Sequence, residues 1–103
     1  MELNEKNILS MQKALMLFLS DVDELGIDSS LVAYCRSAKE KLRTRASSFS
    51  INELNAIVQA LGYSLTLIPP NTSNRSLKKE KDAMSQCRYF LLKQIAQATK
   101  PES

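Results

Sequence analysis

With 103 residues, 44% of them apolar and 24% charged, the chain has the size and composition of a single soluble globular domain. It contains no histidine, which removes the commonest general base and zinc ligand, and its two cysteines, Cys35 and Cys87, have no metal-ligand spacing. The formal net charge of +3 is uneven: residues 1–28 carry six acids and two bases, residues 29–103 twelve bases and five acids, and a basic body favours polyanions such as nucleic acid.

The spacing predicts a first helix over residues 4–25. Ile8, Met11, Leu15, Phe18, Val22 and Leu25 alternate three and four apart, and Leu9, Met16 and Leu19 widen that seam. So broad an apolar face predicts a central helix with neighbours on two sides. Gly26 closes it. Asp21, Asp23 and Glu24 crowd its C-terminus, where negative charge opposes the helix dipole. That end is expected to face away from DNA phosphates. The apolar run Ala14–Leu19 is too short to span a bilayer, and no secretory signal pattern opens the chain, so a cytoplasmic location is expected.

Residues 28–46 admit two descriptions. Asp28 or Ser29 can cap a start, and Leu31, Cys35, Ala38 and Leu42 line one face of a single unbroken helix. Ser37 with Glu40 repeats the capping-box spacing, which favours two short helices, 29–35 and 38–46, with a turn at Arg36-Ser37. Five bases fall here against one acid: Arg36, Lys39, Lys41, Arg43 and Arg45 against Glu40. Such a basic helix pair is the pattern of a major-groove reader. Ser47-Ser48 forms a short loop, and Phe49 is placed as a hydrophobic staple for the next helix.

From Ser50 both ends of a helix are marked. Ser50 with Glu53 has capping-box spacing, and Ile51, Leu54, Ile57, Val58 and Leu61 make one apolar face. Gly62 stands where a left-handed residue would close it. Tyr63, Leu65 and Leu67 then alternate with Ser64 and Thr66 up to Ile68 and Pro69-Pro70, which predicts a short strand. A lone strand leaves backbone groups unpaired. Tyr63, Leu65, Leu67 and Ile68 are therefore expected to pair with a second copy in a two-stranded ribbon.

A linker at 71–75 leads to a last helix over 76–99, in the same domain as the 1–70 core. Leu77, Met84, Cys87, Leu91, Ile95 and Ala98 form its stripe, and Arg75, Lys78, Lys79 and Lys81 crowd its start. Cys35 and Cys87 sit on apolar faces and are expected as buried thiols. The chain has no glycine-rich phosphate loop and no nucleophile elbow. No enzyme activity, metal or cofactor is expected.

The stretch Phe49-Ser-Ile-Asn-Glu-Leu-Asn-Ala-Ile-Val-Gln-Ala-Leu-Gly-Tyr-Ser-Leu-Thr-Leu-Ile-Pro69 resembles the end of phage-repressor-like (Xre-type) helix-turn-helix regulators, nearest to HipB-like antitoxin repressors. The resemblance covers these 21 residues. It implies a mainly α fold of four to five helices, with a diverged helix-turn-helix and one short strand pairing across a homodimer. It also implies operator binding and repression of transcription, often of the protein's own operon. Ala33 and Ser37 match the family's small residue and turn position, whereas Arg36 and Arg43 fall where the family buries apolar side chains. On this basis Ser37, Lys39, Lys41, Arg43, Thr44 and Arg45 are expected to contact bases and backbone of double-stranded DNA. Arg36, Ser47, Arg75, Lys78 and Lys79 are expected as supporting phosphate contacts. The dimer would set two basic helices in successive major grooves, roughly 34 Å apart. The alternative is a helical interaction module, antitoxin-like or adaptor-like, that binds a cognate toxin or another protein without DNA.

Overall fold

Local capping signals set the helix starts. In the computed structural model, which describes residues 4–26, 29–45, 48–69 and 71–99, Asn4 Oδ1 accepts from the Asn7 N–H at 2.8 Å and opens α1, Glu5–Leu25. Ser29 Oγ accepts from the Val32 N–H and opens α2, Ser30–Arg43. The capping box forms as spaced: Ser50 Oγ accepts from the Glu53 N–H, Glu53 Oε1 accepts from the Ser50 N–H at 2.8 Å, and α3, Ile51–Thr66, begins. Asn74 Oδ1 accepts from the Ser76 and Leu77 N–H groups ahead of α4, Arg75–Thr99. The protein is thus mainly α, and the described residues contain no strand.

Two expectations are corrected. The first is the strand. Gly62 does not close α3; the helix runs on through Tyr63, Ser64, Leu65 and Thr66. Leu54, Ile57, Val58, Leu61, Ser64, Leu65 and Ile68 follow the spacing of one helical face, and that face is buried or half-buried. Packing therefore decides between two periods that the short stretch satisfies equally. One interior glycine costs only about 1 kcal/mol relative to alanine, which burial of Leu61, Leu65 and Ile68 outweighs. Pro69 then ends the segment, and Pro70 lies outside the described residues.

The second correction concerns α2. It is one helix, with no turn at Arg36-Ser37. Val32, Cys35, Ala38 and Leu42 form an unbroken buried stripe. Ser37 does not cap: its hydroxyl donates to Glu53 Oε2 at 2.6 Å. Thr44 and Arg45 end the helix, with Arg45 in the left-handed region at φ 60° where no glycine is available. Among the described residues of 28–46 no helix-turn-helix forms.

α1 and α3 pack on each other at the centre. α2 covers both on one side and α4 covers both on the other, with no contact between α2 and α4 among the described residues. Met11, Leu15, Ile57, Leu61, Met84 and Leu91 are fully buried where these helices meet. The broad face of α1 thus has its neighbours, except that Leu9, Met16 and Leu25 remain exposed. Cys35 and Cys87 are free and buried, and burial pushes their thiols up to about 11 and about 12.

Candidate nucleic-acid interface

The bases of α2 are mostly engaged within the fold. Arg36 Nη2 pairs with Asp23 Oδ1 of α1 at 2.8 Å. Arg43 Nε donates to Glu40 Oε2 at 3.0 Å, one turn away on the same helix. Arg45 Nη1 reaches Glu5 Oε1 at the start of α1, 2.6 Å away. Thr44 donates its hydroxyl to the carbonyls of Glu40 and Lys41, both at 3.2 Å. These side chains lie at the surface, where an ion pair contributes about 0–1 kcal/mol and exchanges readily.

Lys41 and Ser37 are held differently. Lys41 Nζ and the Ser37 hydroxyl both donate to Glu53, each at 2.6 Å, and Glu53 is only 3% exposed. Burial opposes the charge on Glu53. Hydrogen bonds from Lys41, Ser37 and Ser50 outweigh burial and hold the carboxyl at about 2. One carboxylate therefore caps α3 and ties α2 to it. Lys41 also lies over the Phe49 ring, 5.7 Å from its centroid. Neither Lys41 nor Ser37 can turn to a duplex without leaving that carboxylate buried and short of partners. Lys39 alone among the α2 cations is exposed with no ion pair among the described residues. Ser47, the remaining expected contact near α2, lies outside the described residues.

α4 presents the opposite case. Arg75, Lys78 and Lys79 are exposed and have no ion pair among the described residues. Helical spacing sets Asp82, Gln86, Tyr89 and Lys93 on the same outward face, away from buried Met84, Cys87 and Leu91. From Arg75 to Lys93 that face runs about 27 Å along the helix axis. Lys93 Nζ stands 4.9 Å from the centroid of the exposed Tyr89 ring. Asp82 is the one acid on this face, because Glu80 turns to α1 and pairs with Lys13. Lys93 and Tyr89 had escaped the sequence expectation. The signal was present in their spacing from Arg75 and Lys78, but it emerges only once the buried face of α4 is known.

The residues expected to pair two copies are used within one. The Tyr63 hydroxyl donates to the Asp21 carboxylate, which raises the tyrosine's pKa, and its ring meets Phe18 edge-on at 5.5 Å. Leu65 and Ile68 pack toward the core, whereas Leu67 is 50% exposed. Two of the three acids that oppose the dipole of α1 are thereby explained: Asp21 receives Tyr63 and Asp23 receives Arg36.

A groove of about 580 Å³ separates α1 from α2, with Met16 and Leu19 among its lining and Asp23, Arg36 and Lys39 along its sides. No described helix is long and apolar enough to cross a membrane. No family model matches the chain, and neither a curated protein nor a solved structure does.

Proposed function

We propose that the protein is a double-stranded-DNA-binding regulator whose main contact surface is the outward face of α4. One observation carries this: the cations of α2, apart from Lys39, already have carboxylate partners in the fold, whereas Arg75, Lys78, Lys79 and Lys93 have none among the described residues. Unpaired cations along one helix face are the electrostatic footprint of phosphate binding. The major groove admits an α-helix, and Gln86, mid-face, has the side chain that pairs bidentately with adenine. The regulatory part of the proposal rests on the sequence likeness of Phe49–Pro69 to phage-repressor-like regulators, although neither the strand nor the helix-turn-helix of that family forms among the described residues. Repression would be steric, by occupation of a promoter. Two copies per operator belong to the same proposal. The exposed apolar side chains Leu9 and Met16, two turns apart on α1, are the contacts such a pairing would use in place of a strand.

Fluorescence anisotropy on a duplex from the region upstream of the protein's own coding sequence tests this. Log affinity should fall linearly with log salt, by nearly one unit per decade for each phosphate contact. A flat salt response, or no binding at low salt, would remove the proposal.

The groove between α1 and α2 favours a second function, that of a helical module binding a partner protein such as a cognate toxin. In that case the protein co-purifies with a partner and shows no salt-sensitive DNA shift.

A further inference from the structure

Asp82 is an acid set among cations on the outward face of α4. It is exposed and has no ion pair among the described residues. Arg75, Lys78 and Lys79 precede it along the face, and Gln86, Tyr89 and Lys93 follow, all of them exposed. Glu80, two residues away, turns to α1 and pairs with Lys13. Asp82 does not turn away with it. Asp82 and Gln86 stand four residues apart, so they share one stripe of the face, separated by about 6 Å along the helix axis.

We propose that Asp82 reads a cytosine and Gln86 an adenine within about two base pairs of it, so that the middle of α4 sets the sequence preference of the protein. This rests on the reading of α4 as the face that enters the major groove. A carboxylate carried into that groove loses water, and a desolvated charge without a hydrogen-bond donor is costly. Phosphates offer only acceptors. On the groove floor guanine presents N7 and O6 and thymine presents O4, all acceptors, and only cytosine N4 and adenine N6 donate. Adenine sets its N7 acceptor beside N6. That pairing opposes an acceptor-only carboxylate and suits the amide of Gln86, which both donates and accepts. Asp82 is thereby matched to cytosine and Gln86 to adenine. Their separation of about 6 Å is just under two base-pair steps of about 3.4 Å, which fixes the spacing of the two bases. The cations at either end of the stripe meet phosphates and keep the face net positive with Asp82 present. Asp82 therefore lowers affinity for sequences that bring it no donor, and an element that repels the wrong partner confers selectivity.

Selection by the full chain from a pool of duplexes with a randomised centre, followed by titration of the selected duplex, provides the test. The wild type should select cytosine and adenine within about two base pairs of each other. Changing that C·G pair to T·A should weaken wild-type binding about tenfold. Asp82→Ala should bind the T·A duplex more tightly than the wild type does and separate the two duplexes by less than about twofold. Asp82→Asn should move the preference at that position to adenine, which an amide pairs with bidentately. Gln86→Ala should lose the adenine preference and keep that for cytosine. A wild-type motif without cytosine, or an Asp82→Ala motif identical to that of the wild type, would overturn the role of Asp82 while leaving α4 as the contact face. Failure to bind any duplex at low salt would instead remove the DNA reading, and this inference with it. The wild-type comparison of the two duplexes stands whether or not a variant folds.

Discussion

Glu53 carries more of the structure than any other single polar residue. Its carboxylate accepts from the Ser50 N–H, from Lys41 and from Ser37, and it is almost wholly buried. Its folded-state pKa of about 2 lies below the ordinary 4.5, so the carboxylate favours folding when ionised. That contribution is complete above about 4.5 and is lost as pH falls toward about 2. It amounts to about 3 kcal/mol, and urea unfolding of the wild type and Glu53→Gln at a series of pH values should show it. The wild type should lose stability between pH 4.5 and 2, and Glu53→Gln should start lower and lose less over the same window. The same arrangement separates the bases of α2. Lys41→Ala should cost about 1.5–3 kcal/mol, because it strands a buried carboxylate, with Lys41 itself partly exposed. Arg36→Ala and Arg43→Ala should each change stability by less than about 1 kcal/mol in the same assay, since their pairs are solvent-exposed.

At the scale of an element, α3 shows where local signals suffice and where they do not. Its start is encoded by residues three apart, Ser50 and Glu53, and forms as the spacing implies. Its end is not locally encoded. Gly62 followed by Tyr63, Leu65 and Leu67 fits a closed helix plus a strand, and fits a continuing helix equally well. The choice falls to Asp21 and Phe18, some forty residues earlier, which receive Tyr63. The glycine provides a direct check. A Cβ on Gly62 would meet Arg88 Nε at 3.6 Å, an ordinary contact, and its φ is not in the left-handed region. Gly62→Ala should therefore stabilise the protein by about 0.5–1 kcal/mol in thermal or urea unfolding. A loss of stability would place Gly62 at a left-handed helix end and restore the strand. In α2, Ser37 and Glu40 have the spacing of a cap, yet Ser37 is drawn to Glu53 and Glu40 to Arg43, and the helix passes through. Glu40 finds its partner one turn away on the same helix, whereas the partner of Ser37 lies across the α2–α3 interface, outside any local pattern.

Across the whole molecule, the charge asymmetry visible in the chain is offset in part where α1 and α3 meet α2. Acids of the N-terminal helix, Glu5 and Asp23, take up Arg45 and Arg36, and buried Glu53 takes up Lys41. These pairs join residues 12 to 40 positions apart, so a count of bases along 36–45 does not show which of them already face a carboxylate within the fold. Positive charge survives on α4, which touches α1 and α3 but not α2 among the described residues. The decisive comparison is therefore between two triple variants in one anisotropy experiment on the upstream duplex. Arg75→Ala/Lys78→Ala/Lys79→Ala should weaken binding and lower the magnitude of the salt slope by about three, while Arg36→Ala/Arg43→Ala/Arg45→Ala should leave both nearly unchanged. The reverse outcome, with loss confined to the α2 variant, would contradict the assignment of the contact surface to α4.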